Sequence, residues 1–213
     1  MKNSRYYVII VVVLGFIGFM AADYLNSRMN SKNESGGVDQ ELLVRPHSPV
    51  LGDRSAPVTM VEFLDPECEA CRASFPAVKE LLSQFQGKVK LVIRYMPFHA
   101  NSAYAAAVLE EARETGKFEA ALGLLFQMQP EWGSHHAPRP DLIPGYLEQI
   151  GIEQAALDKT KVLQEHGEKI RKDYEDGKKL EVKATPTFFV NGVKVQGISK
   201  QELATAIEKA LGN

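Results

Sequence analysis

A Cys-x-x-Cys stands where an apolar, β-branched run gives way to a helical pattern, and this junction constrains the chain more than any other feature. The run Val58-Thr59-Met60-Val61-Glu62-Phe63-Leu64 has the composition of a buried strand. Beyond Cys68-Glu69-Ala70-Cys71, the segment from Arg72 onward sets Phe75, Val78, Leu82 and Phe85 on one helical face. Both thiols are therefore predicted at a strand-to-helix turn, at or inside the first helical turn. Unpaired N–H groups and the positive end of the helix dipole stabilise a thiolate there. The thiolate is the attacking species in disulfide exchange, and a second thiol three residues on can resolve a mixed disulfide.

Two other uses of the motif are weighed against this one. Half of a zinc site needs two more nitrogen or sulfur ligands. Cys68 and Cys71 are the only cysteines, and the five histidines (His47, His99, His135, His136, His166) show no H-x₃₋₅-H pair. A structural disulfide this local closes almost no loop and stabilises little. Dithiol redox chemistry is the favoured reading.

The N-terminus points to a membrane. Lys2 and Arg5 precede an uncharged apolar run from Tyr6 to Ala22, which ends at Asp23. The run exceeds the roughly 7–15 residues of a signal-peptide core and sits at the short end of the roughly 17–25 that span a bilayer. An uncleaved anchor over residues 1–22 is favoured over a cleaved signal, because Met20-Ala21-Ala22 makes a poor cleavage site. The positive charge before the run keeps the N-terminus in the cytoplasm and sends the remainder across, into the periplasm or outside the cell. That compartment permits disulfides. The net charge of −2 and the lack of a Lys/Arg-rich patch with interleaved aromatics give no basis for binding nucleic acid.

Residues 23–49 are polar and are expected to form a flexible tether. The folded domain is expected over 50–213. Val89–Tyr95 reads as a second strand after Gly87. Helical spacing then covers Ala105–Ala112, Phe118–Met128, Pro140–Ile150 and Gln154–Lys179, with breaks at Gly116, Pro130, Gly133 and Gly151. Thr187–Val190 resumes strand, Asn191-Gly192 is a two-residue hairpin turn, and Val193–Val195 returns. Ser199 and Glu202 form a capping box before Leu203, Ile207 and Leu211. The expected fold class is α/β, interrupted by a helical insertion at about 100–180.

With these motifs in place, the chain resembles the thioredoxin superfamily, in particular the DsbA-like exported thiol–disulfide oxidoreductases. The likeness rests on Cys68-Glu69-Ala70-Cys71 together with Thr185-Pro186-Thr187-Phe188-Phe189-Val190-Asn191-Gly192. It implies that Pro186 is the cis-proline against the dithiol and Thr185 the backbone contact for bound peptide; taken alone, Pro186 also reads as an ordinary trans proline opening a strand. Glu62, six residues before Cys68, matches the family's buried acid, a proton relay for Cys71. Strand alternation sets it inward with Met60 and Leu64, whereas a generic strand Glu faces solvent. Pro76 matches the proline that kinks the first helix. Asp65, Glu67 and Glu69 crowd the motif, so Cys68 is expected to be less acidic than in the strongest oxidants.

The resemblance implies a thiol–disulfide oxidoreductase acting on cysteine-containing exported proteins with an unidentified membrane redox partner. No cofactor beyond the Cys68–Cys71 disulfide and no metal is implied. A reductase or isomerase, or a copper-handling adaptor using the dithiol as a soft ligand, remain the alternatives. His99 is placed either facing the groove or as a surface or capping residue, His135 and His136 in a solvated loop, and Trp132 in the core of the insertion.

Overall fold

The computed structural model describes residues 38–212; the expected anchor and most of the expected tether lie outside them. Among the described residues no helix is long and apolar enough to cross a membrane.

Two seven-residue strands form the centre because their side chains are apolar on both faces. Strand β2 (Val58–Leu64) pairs in parallel with β3 (Val89–Tyr95). Outside them lie β1 (Val50–Gly52), antiparallel to β3, and β4 (Thr187–Val190), antiparallel to β2. The short β5 (Val193–Lys194) follows β4 through Asn191-Gly192, and both turn residues have positive φ, as the expected hairpin requires. The strand order is β1-β3-β2-β4-β5.

Period-two alternation divides the sheet into two faces. Met60, Leu64, Leu91, Ile93, Phe188 and Val190 enter the larger core. Helices α2 (Glu69–Gln84) and α7 (Lys200–Leu211) contribute Val78, Leu81, Leu203 and Ile207 to it. The capping box at Ser199 and Glu202 starts α7 as expected. Along α2 the expected Val78 and Phe85 are buried in this core with Phe75 and Leu82 packed against it, and Cys71, Ser74 and Leu81 are buried beside them. Val61, Phe63, Val92 and Phe189 face the smaller core on the other side.

Between β3 and β4 runs the expected helical insertion. It comprises α3 (Ser102–Glu114), α4 (Phe118–Trp132), α5 (Ile143–Glu148) and α6 (Lys159–Lys179). Pro130 does not break α4 as expected. The helix carries Pro130 within it and runs on to Trp132, and Gly133 caps it. Trp132 is fully buried, its indole N–H donating to the Leu125 carbonyl at 2.8 Å. The predicted helix from Gln154 is also corrected. Gln154–Leu157 is a 3₁₀ turn, and Asp158 caps α6 afresh by accepting from the Lys161 N–H. Helix α6 lies against β3. There, a Cβ on Gly177 would come within 2.6 Å of the Met96 sulfur and 3.2 Å of the Phe63 ring, so a larger residue would force these side chains to shift.

The folded unit begins at Val38 rather than near Val50. Helix α1 (Gln40–Leu43) buries Leu43 completely, and Val38 donates to the Gly192 carbonyl at 3.3 Å. The fastening is ionic. Arg94 on β3 is fully buried and bonds Asp173 and Asp176 of α6 at 2.8 Å each and the Leu42 carbonyl at 2.6 Å. Arg45 and His47 bind the same two carboxylates, at 2.8 and 2.7 Å. Burial opposes the charge on Asp176, but Arg45 and Arg94 outweigh it and hold its carboxyl at about 2. The lowered value contributes stability above the carboxyl's ordinary range, and this is lost as pH falls toward about 2.

Candidate active site

The turn between β2 and α2 puts the dithiol at the first turn of a helix of 16 residues. Cys68 is the N-cap and Cys71 lies one turn in. Both are free thiols, Cys68 8% exposed and Cys71 not at all. Pro76 lies inside α2, as the family proline would.

The peptide bond between Thr185 and Pro186 is cis. It brings the Thr185 carbonyl to 3.3 Å from Cys68 Sγ, which donates to it. Residues separated by more than a hundred positions thus meet at the reacting sulfur. Gln129 of α4, which the sequence did not single out, clamps the turn from the other side. Its amide donates to the carbonyls of Pro66 and Cys68 at 2.9 and 3.0 Å.

The two thiols have opposite characters. A hydrogen bond from Cys71 is the largest influence on Cys68 and outweighs its burial. Thr185 and the backbone N–H groups of Cys71 and Ala70 add to it, lowering the thiol to about 5. Cys71 is driven far up by burial first, then by its bond to Cys68 and by the charge of Glu62. At neutral pH the dithiol therefore carries one thiolate, on Cys68, and the bond from its S–H to the Thr185 carbonyl belongs to the protonated form.

Glu62 lies where alternation placed it, on the face with Met60 and Leu64, 3% exposed. Its carboxylate makes no hydrogen bond to any described residue. Burial, with the Cys68 charge in second place, lifts it to about 8. A carboxyl that is neutral at pH 7 beside a thiol that must be protonated has the chemistry of a proton donor.

The neighbouring acids do not keep the Cys68 thiol from being lowered to about 5, because each carboxylate is already committed. Asp65 binds the His99 imidazole at 2.7 Å and several N–H groups. Glu67 accepts from the Asn101 backbone and side chain at 2.7 and 3.0 Å. Glu69 pairs with His135 at 3.0 Å, so His135 is partnered rather than merely solvated.

Comparison with known proteins places this geometry. A family model described as "Thioredoxin" matches residues 45–209, most of the chain. The crystal structure of oxidised BdbD from Bacillus subtilis superposes with a TM-score of 0.70 at 28% identity, covering 78% of this chain and 94% of that one. "Disulfide bond formation protein D" of Bacillus subtilis is 29% identical, over 76% of this chain and 77% of the relative. The sodium/proton antiporter NhaA 1 of Salinispora arenicola is 33% identical over 74% of this chain but only 24% of its own length. The chain thus spans about a quarter of the length of the antiporter relatives it matches. The family match contains Glu62, the dithiol and the Thr185-Pro186 loop within one segment, and the chain belongs to the thioredoxin family.

Proposed function

We propose that the protein is a DsbA-like thiol–disulfide oxidoreductase that donates disulfides to cysteine-containing exported proteins. One observation carries this reading: an acidic Cys68 at the helix N-cap beside the Thr185 carbonyl, 8% exposed, with Cys71 fully buried. A thiol lowered to about 5 stabilises the reduced form as thiolate, which favours giving the disulfide away over reducing one.

The cycle follows from the residues. A client thiolate attacks Cys68 Sγ of the disulfide form, and the electron pair of the broken bond leaves on Cys71. Glu62, neutral below about 8, supplies the proton that Cys71 holds so strongly. A second client thiolate then attacks the client sulfur of the mixed disulfide, and Cys68 departs as thiolate. Thr185 offers its backbone to the client as a short strand beside the reacting sulfur. No bound cofactor takes part in this cycle. A location outside the cytoplasm suits a chain whose only two cysteines form the active pair. The apolar N-terminal run would hold it at the membrane, where a redox partner would reoxidise the dithiol.

Mixing the oxidised protein with a reduced, unfolded substrate protein tests the reading. One substrate disulfide should appear for each Cys68–Cys71 bond consumed; absence of transfer, or net reduction of an oxidised substrate, would contradict it. In the same assay Glu62→Gln should slow transfer at pH 7 by about tenfold or more, since general acid catalysis contributes roughly 10²–10⁴. The variant should also be more stable. A carboxyl whose folded value is raised loses stability as pH climbs from its ordinary range through about 8. Unchanged transfer rates would make Glu62 a bystander.

A further inference from the structure

The densest polar arrangement beside Cys68 converges on one carboxylate. Asp65 is fully buried, and its backbone carbonyl accepts the Cys68 N–H at 3.1 Å. One side-chain oxygen accepts from the Glu67 N–H at 2.8 Å and the Ser102 hydroxyl at 2.5 Å. The other accepts from the N–H groups of Phe98 and His99 at 2.8 and 3.2 Å, and meets His99 Nδ1 at 2.7 Å. Because Asp65 presents only acceptors, the Nδ1 of His99 carries a hydrogen. The imidazole is fixed at its backbone and at one ring nitrogen, which leaves Nε2 free to take up a proton. Its side chain is 29% exposed.

We propose that His99 is a positioning residue for thiol exchange, an imidazolium held by Asp65 against the Cys68 turn that stabilises the departing Cys68 thiolate. The proposal rests on the oxidoreductase reading above. It supplies what the intervening Glu69-Ala70 lacks, a positive charge at the dithiol's turn, where Asp65 holds both the His99 ring and the Cys68 N–H. In the step it serves, the client disulfide forms, the bond between Cys68 and the client breaks, and the electron pair stays on Cys68. No proton moves, so a fixed positive charge assists the step as long as the imidazole keeps its proton.

The groups around His99 are mostly anionic. Asp65, Glu67, Cys68 and Glu69 come from the β2–α2 turn and the start of α2. From the loop after α4 comes His135, its ring 5.6 Å from that of His99 and its Nε2 on Glu69. Arg72 lines a cavity of about 300 Å³ with Glu69 and His135. Partial burial works against a charged His99, but the bond to Asp65, then the charges of Asp65, Cys68 and Glu67, raise its proton affinity. Coupling between sites is reciprocal. If the Cys68 thiolate favours the proton on His99, that proton favours the thiolate.

The test is the ultraviolet thiolate titration of the reduced protein, with His99→Asn against the wild type. Asparagine keeps an N–H toward Asp65 and discards the charge. The Cys68 midpoint should rise by about 0.5–1 unit, below the 1–3 units of a charge in direct contact. Disulfide transfer at about pH 6 should slow severalfold, and the wild-type advantage should vanish above the titration of His99. His47→Asn, across the sheet on Asp173, should leave the midpoint unchanged. An active wild type with an unshifted midpoint in His99→Asn would overturn this proposal alone; a wild type inert toward disulfides would overturn the oxidoreductase reading with it. Should His99→Asn not fold, the His99 ring is titrated by NMR in the wild type and in Cys68→Ala. Its midpoint should fall when the thiolate is removed, and equal midpoints would overturn the proposal.

Discussion

Replacing Cys71 with alanine is expected to leave the protein covalently joined to its clients. Cys68 keeps its place at the helix N-terminus beside the Thr185 carbonyl, so it still takes part in exchange. In the variant the mixed disulfide forms when the Cys68 thiolate attacks a client disulfide and expels the other client sulfur. What disappears is the Cys71 thiol that would attack Cys68 Sγ and release the client. Well-oriented intramolecular groups act at effective molarities of up to roughly 10⁵–10⁸ M. Even a small fraction of that advantage outruns external thiols by orders of magnitude. Mixed disulfides should therefore accumulate and survive alkylation and non-reducing electrophoresis. Cys68→Ala should trap nothing, because its remaining thiol is sealed and driven far up. Trapping by Cys68→Ala in place of Cys71→Ala would reverse the assignment of roles. The loss of the Cys71 hydrogen bond should also raise the Cys68 thiol, since that bond is the largest influence lowering it.

The second large effect concerns stability rather than chemistry. Arg94→Met should cost about 3–5 kcal/mol, the typical penalty for removing one member of a buried ionic group. The guanidinium is fully enclosed and satisfies Asp173, Asp176 and the Leu42 carbonyl at once. Without it, the two buried carboxylates keep Arg45 and His47, each 22% exposed, the more distant Lys172 at 3.7 Å from Asp176, and the Tyr95 N–H at 3.0 Å from Asp173. Arg45→Met should cost less, because Arg94 still holds Asp176 and the lost group was partly solvated. Denaturant unfolding at pH 7 measures both. Below about pH 4 the gap between Arg94→Met and the wild type should begin to narrow, closing toward pH 2, since the stabilisation by Asp176 is lost as pH falls from the carboxyl's ordinary range to about 2. Arg94 lies on the sheet face opposite Glu62, so the folded fraction should exchange thiols normally. Equal stability of Arg94→Met and the wild type would show that the cluster does not fasten the N-terminal segment.

The contrast between these two regions explains what the sequence disclosed. The dithiol, its strand and its helix are consecutive, and the Asn191-Gly192 turn and Ser199/Glu202 cap are equally local. Local chemistry decides their form without reference to the rest of the chain. Glu62 was placed by its spacing from Cys68, through the family resemblance, and by alternation, because a central strand has two faces and its neighbours Met60 and Leu64 were plainly apolar. The same rule puts Arg94 inside, yet a charged residue in a strand reads as solvent-facing until its partners are known. Those partners, Asp173 and Asp176, sit 79 and 82 residues away on a helix rich in Lys and Glu. Nothing in their spacing distinguishes a buried carboxylate from an exposed one.

The start of the domain was misplaced for the same reason. Residues 38–49 are polar enough to pass for tether, and only Leu43 and the ionic clasp reveal that they are packed. Around the dithiol, charges counted along the chain do not show what each carboxylate is paired with. Asp65 and His99 are 34 residues apart in sequence and 2.7 Å apart in space. A carboxylate that meets an imidazole and four other donors does not act on a thiol as a bare charge would.

The central claim is that the dithiol is asymmetric, Cys68 reactive and Cys71 withheld. Competitive alkylation of the reduced, folded protein at about pH 6, with each cysteine mapped by mass spectrometry, tests it most directly. Cys68, lowered to about 5, should be labelled rapidly, and Cys71 should stay unlabelled until the protein is unfolded. Labelling of Cys71 first, or of both thiols at one rate, would contradict the account.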